Sequence, residues 1–284
     1  MKEAVVHAGG RIAVAGATGR VGRHVVGVLE ARGREIVAMS RSSGVDVVSG
    51  DGLARALAGV ECIVDTATGA SPDQQAATDF FTTAARNLQE AGARAGVRRI
   101  VVVSIIGCDR FSAGYNAAKA AHEQALLSGP IPVSILRAAQ FHELVEQLVD
   151  WGRQDGFSYV PEMRTQLVAA RTVAEALADL ATGSEPAAAS RSATPIPEIA
   201  GPHVENLIEA ARLLVAHRGD TVRIEGVSNP ADPDRDRYQA GALLPGEHAV
   251  LAGPSFEHWL THERRVASDD GSRGCRTSGV ADGS

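Results

Sequence analysis

The stretch "GYNAAK", residues 114–119, places Tyr115 four residues before Lys119. On a helix, positions i and i+4 share a face, so both side chains can enter one cleft. Lys2 is the only other lysine, and arginine supplies nearly all the remaining positive charge. A lysine kept here points to a task that a guanidinium does poorly. A unit charge ~4 Å from a phenol, at an effective dielectric of about 20, contributes ~4 kcal/mol, or roughly three pKa units. Lys119 is therefore expected to bring the Tyr115 phenol down from near 10 toward neutrality. Such a phenol gives a proton to a carbonyl oxygen as hydride arrives, or takes one from an alcohol in reverse. Ser104 closes the apolar run "RRIVVVS" eleven residues before Tyr115. Its hydroxyl is expected to orient a substrate oxygen, with satisfaction of a strand-end backbone group as the plainer reading.

A second constellation is "GATGRVG", with Gly16, Gly19 and Gly22 set between an apolar run and a helical pattern. That spacing lets backbone N–H groups at a helix N-terminus face a pyrophosphate, where the helix dipole favours negative charge. An acidic residue at the end of the second strand would bind a ribose 2′-hydroxyl. The segment there is "AMSRSS", without a carboxylate. Arg41, with Arg20 from the glycine loop, can meet a 2′-phosphate instead, so NADP(H) is preferred over NAD(H). Asp51 can accept from an adenine amino group, or serve only as a carboxylate at a helix N-terminus.

The elements that must position these residues alternate. "RIAVAG", "EIVAMS", "VECIVDTA", "RRIVVVSIIG" and "VSILR" read as buried strands. Helices are expected between them: about 20–32 with Val21, Val25, Val28 and Leu29 on one face, "GLARALAG", a long one ending near Gly96, and one around 114–128. Ser71, Pro72 and Gln74 are read as the N-cap, first-turn proline and capping-box partner of the long helix. The pattern is that of a Rossmann-type α/β fold, a doubly wound parallel sheet. Residues 1–10 form an N-terminal extension and 11–140 the dinucleotide-binding core. Residues 141–264 are read mainly as a small C-terminal substrate lobe with elements returning to the core. In this part "FHELVEQLVDWGRQ", "RTVAEALADLATG" (capping box Thr172 and Glu175) and "HVENLIEAARLLVAHRG" are helices, and "QLVAA" and "TVRIEGV" short strands. The polar, small-residue segment 265–284 is expected to be a disordered tail.

Composition limits the function classes. With 284 residues, 44% hydrophobic and 22% charged, the chain can bury a large core. A net charge of -6 argues against a nucleic-acid partner. No apolar run is long enough for a membrane span and the N-terminus lacks signal-peptide order, so a soluble, cytoplasmic protein is expected. Cys62, Cys108 and Cys275 are odd in number and far apart, which suits free thiols. No metal site is expected.

In its order of "GATGRVG", "VVVS", "YNAAK" and "ILRAAQFHEL", the chain resembles the short-chain dehydrogenase/reductase superfamily, in its atypical NmrA-like, NAD(P)H-binding branch. The likeness extends over roughly 11 to 264, including the ending "GALLPGEHAVLAGPSFEHWL". It implies that Gly16, Gly19 and Gly22 bind the pyrophosphate and Arg41 the 2′-phosphate; Thr18, Arg20 and Val21 of the same loop are expected to be cofactor-binding as well. It further implies a catalytic trio of Ser104, Tyr115 and Lys119, with Lys119 also holding the nicotinamide ribose. Thr66, Ala67 and Thr68 fall in the cofactor loop, and Gln140, Phe141 and His142 line the nicotinamide and substrate site. Two departures stand out: "TATG" at 66–69 replaces an asparagine-rich turn, and Arg171 stands where relatives often carry an aspartate. The implied activity is an NADP(H)-dependent oxidoreductase acting on a small carbonyl, alcohol or quinone; a homo-oligomer is compatible with it. Two other readings stay open. One is a non-catalytic NADP-binding redox sensor, and the other an isomerase or dehydratase using bound cofactor transiently, with His142 as an extra acid/base group.

Overall fold

The computed structural model describes residues 10–183 and 195–262. Most of the N-terminal extension, the tail from 265 and Cys275 lie outside these residues. The chain alternates β1 (Arg11–Ala15), α1 (Gly22–Ala31), β2 (Ile36–Met39), α2 (Leu53–Ala56), β3 (Val60–Asp65), α3 (Gln74–Ala95), β4 (Arg99–Ile105), α4 (Gly114–Leu127) and β5 (Val133–Ala138). Then follow α5 (His142–Trp151), β6 (Arg153–Gln154), β7 (Phe157–Pro161), β8 (Arg164–Thr165), α6 (Ala170–Thr182), β9 (Glu198–Ala200) and β10 (Glu205–Asn206). The last elements are α7 (Leu207–Arg218), β11 (Arg223–Val227), α8 (Arg235–Gln239) and β12 (Val250–Leu251).

Seven strands form one parallel sheet in the order β12-β9-β5-β4-β3-β1-β2. Its central strands are apolar on both faces because both faces are covered. Along β1, Ile12 and Val14 join a core shared with Val25 and Leu29 of α1 and Val173 and Leu177 of α6. Ala13 and Ala15 point the other way, toward Leu53 of α2, Leu88 of α3 and Leu126 of α4. The strand order reverses between β1 and β3, so their C-terminal ends diverge and leave a crevice.

The second half builds a third core from Val145 and Val149 of α5, Val160 of β7, Leu214 of α7, Ile224 of β11, and Phe256 and Trp259. Its sheet is ordered β11-β7-β6. The β6–β7 hairpin closes on Asp155 and Gly156, both at positive φ (49° and 83°), the backbone that an Asp-Gly two-residue turn favours. β9 and β12 return to extend the main sheet.

Several local expectations are corrected. α3 is capped by Asp73, whose side chain accepts from the Ala76 amide at 3.0 Å, while Ser71 Oγ accepts from the Asp73 amide. α6 begins at Ala170 with no capping box; the Glu143 carboxylate of α5 takes the Ala170 amide at 3.2 Å, and Arg171 pairs with Glu175. "QLVAA" is no strand: it makes a single bridge, Phe141 to Val168.

One buried ion pair clamps α4 to β5. Arg137 Nε and Nη2 donate to the two Glu123 oxygens at 3.0 and 2.8 Å, and Nη1 reaches Asp109 at 3.1 Å. The pair is buried, so removing Glu123 leaves Arg137 with only the half-exposed Asp109 to pair with. Glu123→Ala is expected to destabilise the fold by about 3 kcal/mol, read as a lower midpoint in urea unfolding.

Candidate active site

The crevice between β1 and β3 opens into a cavity of about 350 Å³. Gly16 turns the chain at its mouth with φ +73°, and its amide donates to Met39 O at 3.0 Å. A Cβ there would lie 2.8 Å from both Ala67 Cα and Thr66 O. Gly22 opens α1, packed so tightly on the turn that its own Cβ would stand 2.1 Å from Gly16 O. Only glycine permits this approach of strand, turn and helix. The first turn of α1 carries neither a side-chain cap nor an acidic residue, and its Arg23 and His24 amides turn back onto Gly19 O and Val21 O at 3.2 and 3.0 Å.

Seven of the expected residues line the cavity together: Gly16, Thr18, Gly19, Arg41, Thr66, Ala67 and Thr68. Val21 and Gly22 are buried behind the loop and shape it from within. Arg20 does not line the cavity with Arg41; its guanidinium donates to Gln147 Oε1 of α5 at 2.6 Å. The Asp51 carboxylate accepts from Ser49 Oγ at 2.8 Å, and it is Asp46 that lines the wall, with Val47 and Val48. Asp46 Oδ1 accepts from the Val48 and Ser49 amides, which folds this turn over the cavity. Met39, Ser40 and Phe80, also lining it, escape a reading based on charge and glycine spacing.

Tyr115 and Lys119 share one helix, yet they do different things. The Tyr115 phenol is hydrogen-bonded to Thr68 Oγ1 at 2.9 Å, which joins α4 to the loop that lines the cavity. Burial raises its pKa above the ordinary 10; the bond to Thr68 and the charge of Arg20 oppose this without cancelling it. The expected depression by Lys119 is thus reversed, because the ammonium is directed elsewhere. Lys119 Nζ donates to Val103 O at 2.9 Å and to His122 Nδ1 at 3.0 Å, and it sits 4.5 Å from the centre of the Phe81 ring.

Ser104 is also displaced from its expected part. It is buried, and its Oγ meets Cys108 Sγ at 3.7 Å, while that thiol reaches Glu123 Oε1 at 3.4 Å. The hydroxyl that meets the phenol is Thr68, which the sequence placed only in the cofactor loop. Burial, with Glu123 beside it, pushes the Cys108 thiol up to about 11, so it is not a nucleophile near neutral pH.

Gln140, Phe141 and His142 stand at the end of β5 and fasten it to the segment 165–168. Gln140 Oε1 accepts from Thr165 Oγ1 at 2.7 Å, and the His142 amide donates to Val168 O. His142 is fully buried against Phe256 and Trp259, with Nε2 on Leu167 O at 3.1 Å and no partner for Nδ1. Burial lowers its pKa to about 4, against a weaker opposing bond to Leu167. It is a neutral packing residue near pH 7 and so a poor choice for an acid/base group. Among the described residues no cluster of three or more His, Cys, Asp or Glu could hold a metal ion, and no helix is long and apolar enough to cross a membrane.

The sequence pattern of a family described as NAD(P)H-binding matches residues 16–182. No curated protein sequence matches the chain. Solved structures do. MoeE5 in complex with UDP-glucose and NAD is 18% identical, covers 91% of this chain and 100% of its own, and gives a TM-score of 0.65. A short-chain dehydrogenase/reductase superfamily protein from Agrobacterium tumefaciens with bound NAD is 18% identical over 93% of this chain and 99% of its own, TM-score 0.62. TunA, an NAD-dependent NDP-hexosamine 5,6-dehydratase, is 16% identical over 92% of this chain and 98% of its own, TM-score 0.63. Their shared fold is the Rossmann-like α/β sheet described above.

His142 makes acid stability a test of this geometry. Its folded pKa lies below the unfolded 6.5, so on acidification the unfolded chain takes up the proton first. The contribution is complete above about pH 6.5 and is lost as pH falls toward 4, up to about 3 kcal/mol. His142→Gln, which keeps a donor for Leu167 O, is expected to flatten that part of the curve in urea unfolding at pH 7, 5.5 and 4.5.

Proposed function

This chain belongs to the NAD(P)H-binding family, and we propose that within it the protein is an NADP(H)-dependent oxidoreductase that reduces a small carbonyl or quinone. The observation that carries this reading is the Tyr115–Thr68 hydrogen bond, which sets a protonated phenol at the edge of the glycine-walled cavity. The cavity's chemistry fits a dinucleotide. Gly16, Thr18, Gly19, Arg20, Val21 and Gly22 would hold its pyrophosphate at the uncapped start of α1. Arg41 would meet a 2′-phosphate; the exposed residues after β2 are Arg41, Ser42 and Ser43, with no carboxylate among them to repel it. Asp46, with Asp51 behind it, would face the adenine. Thr66, Ala67 and Thr68 lie toward Tyr115 and would border the nicotinamide, with Lys119 behind them on its ribose. When bound, the nicotinamide supplies or accepts the hydride.

Tyr115 then acts as general acid. Burial keeps the phenol protonated near neutral pH, so it can donate to the oxygen of a carbonyl under reduction, and Thr68 fixes its direction. The reverse task needs a phenolate, which the same burial disfavours; reduction is therefore the preferred direction. Ser104 and Lys119 support α4 and β4 from within, and Gln140, Phe141 and His142 shape the far wall of the substrate site through the 165–168 segment.

A second reading is an isomerase or dehydratase that uses bound cofactor transiently, favoured by the likeness to the dehydratase TunA. Conversion without net NADPH consumption would select it. For the leading reading, Tyr115→Phe is expected to slow NADPH-dependent reduction about 100-fold or more at unchanged NADPH affinity. An unchanged rate across a carbonyl and quinone panel would remove Tyr115 from the chemistry. Arg41→Ala is expected to weaken NADPH about 10-fold in a fluorescence titration while leaving NADH unaffected. A wild-type preference for NADH would overturn the cofactor assignment.

A further inference from the structure

Lys119 is largely buried on the inner face of α4. It is 6% exposed, and its ammonium is shared among Val103 O, His122 Nδ1 and the Phe81 ring. An ammonium has no lone pair, so Nδ1 must accept and the ring proton must sit on Nε2. Nε2 in turn lies 3.1 Å from Asp65 Oδ2, and the other Asp65 oxygen accepts the Ala67 amide at 3.0 Å. The imidazole also stacks on Phe81, with ring centres 4.8 Å apart. One buried anion, one neutral ring and one buried cation thus stand in line from β3 to the inner face of α4. The Ala67 amide connects this line directly to the loop that walls the cavity.

Such a line has a definite electrostatic sense. Burial lowers the Lys119 pKa, and the charge of Asp65 is the foremost influence opposing that, ahead of Cys108 and Glu123. His122 is likewise held below its usual value, first by burial and then by the Lys119 charge. Burial would raise Asp65, but first its bond to His122, then the Ala67 amide and the Lys119 charge, together hold it below the ordinary carboxylate range. The other titratable groups nearby are Tyr115, edge-on to Phe81, and Cys108 and Glu123, with Glu123 paired to Arg137. Asp65 is therefore the carboxylate available to Lys119, and it acts through one imidazole.

We propose that Asp65 and His122 are positioning residues that act through Lys119, holding its ammonium charged and seated against Val103 O behind the loop that walls the cavity. The proposal rests on the reading that Lys119 serves a nicotinamide ribose. Without the pair the lysine sheds its proton at a lower pH and loses its seat. His122 is the specific link, since a hydrophobic side chain of similar size would fill the space beside Phe81 yet carry no charge information from β3 to α4.

The scarcity of lysine makes this measurable. Full-length protein labelled with ¹³C at lysine Cε gives two lysine signals, from Lys2 and Lys119, and Lys2→Arg assigns them. In the wild type, Lys119 is expected to titrate below Lys2. Asp65→Asn and His122→Leu are expected to move the Lys119 midpoint down by about one pH unit or more. His122→Gln, with an acceptor for Nζ and a donor for Asp65, is expected to restore it. NADPH titration at pH 8 should follow the same order, with affinity reduced about 10-fold in Asp65→Asn and within twofold of wild type in His122→Gln. An unmoved Lys119 midpoint in folded Asp65→Asn, judged by near-ultraviolet circular dichroism, overturns the proposal. If His122→Leu does not fold, Asp65→Asn and His122→Gln still decide. Failure of the wild type to bind NADPH at any pH sinks the cofactor reading itself, while the lysine titration continues to report whether the pair controls Lys119.

Discussion

The geometry at the ends of β1 and β3 governs the remainder of the molecule. The strand order reverses there, and the chain leaving β1 must turn sharply at Gly16 and reach α1 at Gly22 while touching the loop that leaves β3. A side chain on Gly16 would strike Ala67 and Thr66, and one on Gly22 would strike Gly16. The close approach has two results. It brings the uncapped end of α1 to the crevice, and it fixes the 66–70 loop so that Thr68 meets Tyr115. The sheet, the anion-binding turn and the phenol thus share one steric condition.

Much of this was legible in sequence, because the signals were local. Each central strand is a short apolar run, and the glycine triad falls between a strand and an amphipathic helix, so the first half could be read without knowing any distant contact. The same reading failed where two local signals compete or where the partner is remote. Ser71 and Asp73 are both good caps, and Asp73 prevails because its carboxylate reaches the Ala76 amide. β9 and β12, three and two residues long, owe their existence to parallel partners far away in sequence. The Asp155-Gly156 turn was the clearest missed clue, since an Asp-Gly pair between strand-forming residues marks a hairpin.

The candidate site divides along the same line. Helical spacing correctly placed Tyr115 and Lys119 on neighbouring turns, but it could not reveal which way Nζ would go. That depends on Asp65, fifty-seven residues before His122, and on a carbonyl of β4. Ser104 illustrates the two-residue period of strands: its face is that of Val102, which turns to the core beneath α3 and α4, so its hydroxyl finds Cys108 and not the phenol. Arg20 is placed beside Arg41 by cofactor logic alone, whereas a 2.6 Å bond to Gln147 ties it to α5 instead.

The enclosure of Lys119 gives the protein an unusual chemical contrast. Its outward positive charge is carried almost wholly by guanidinium groups, which keep their protons far into alkali, while one of its two lysines is sealed inside. As the medium becomes basic, the guanidinium charge barely alters, and among the described residues the one side-chain amine that can lose its charge is this interior one. Amine-directed reagents such as acylating agents would correspondingly find little purchase on the described surface. The fold thereby sets a guanidinium-bearing exterior, little changed by alkali, against the one lysine among the described residues, which it keeps inside.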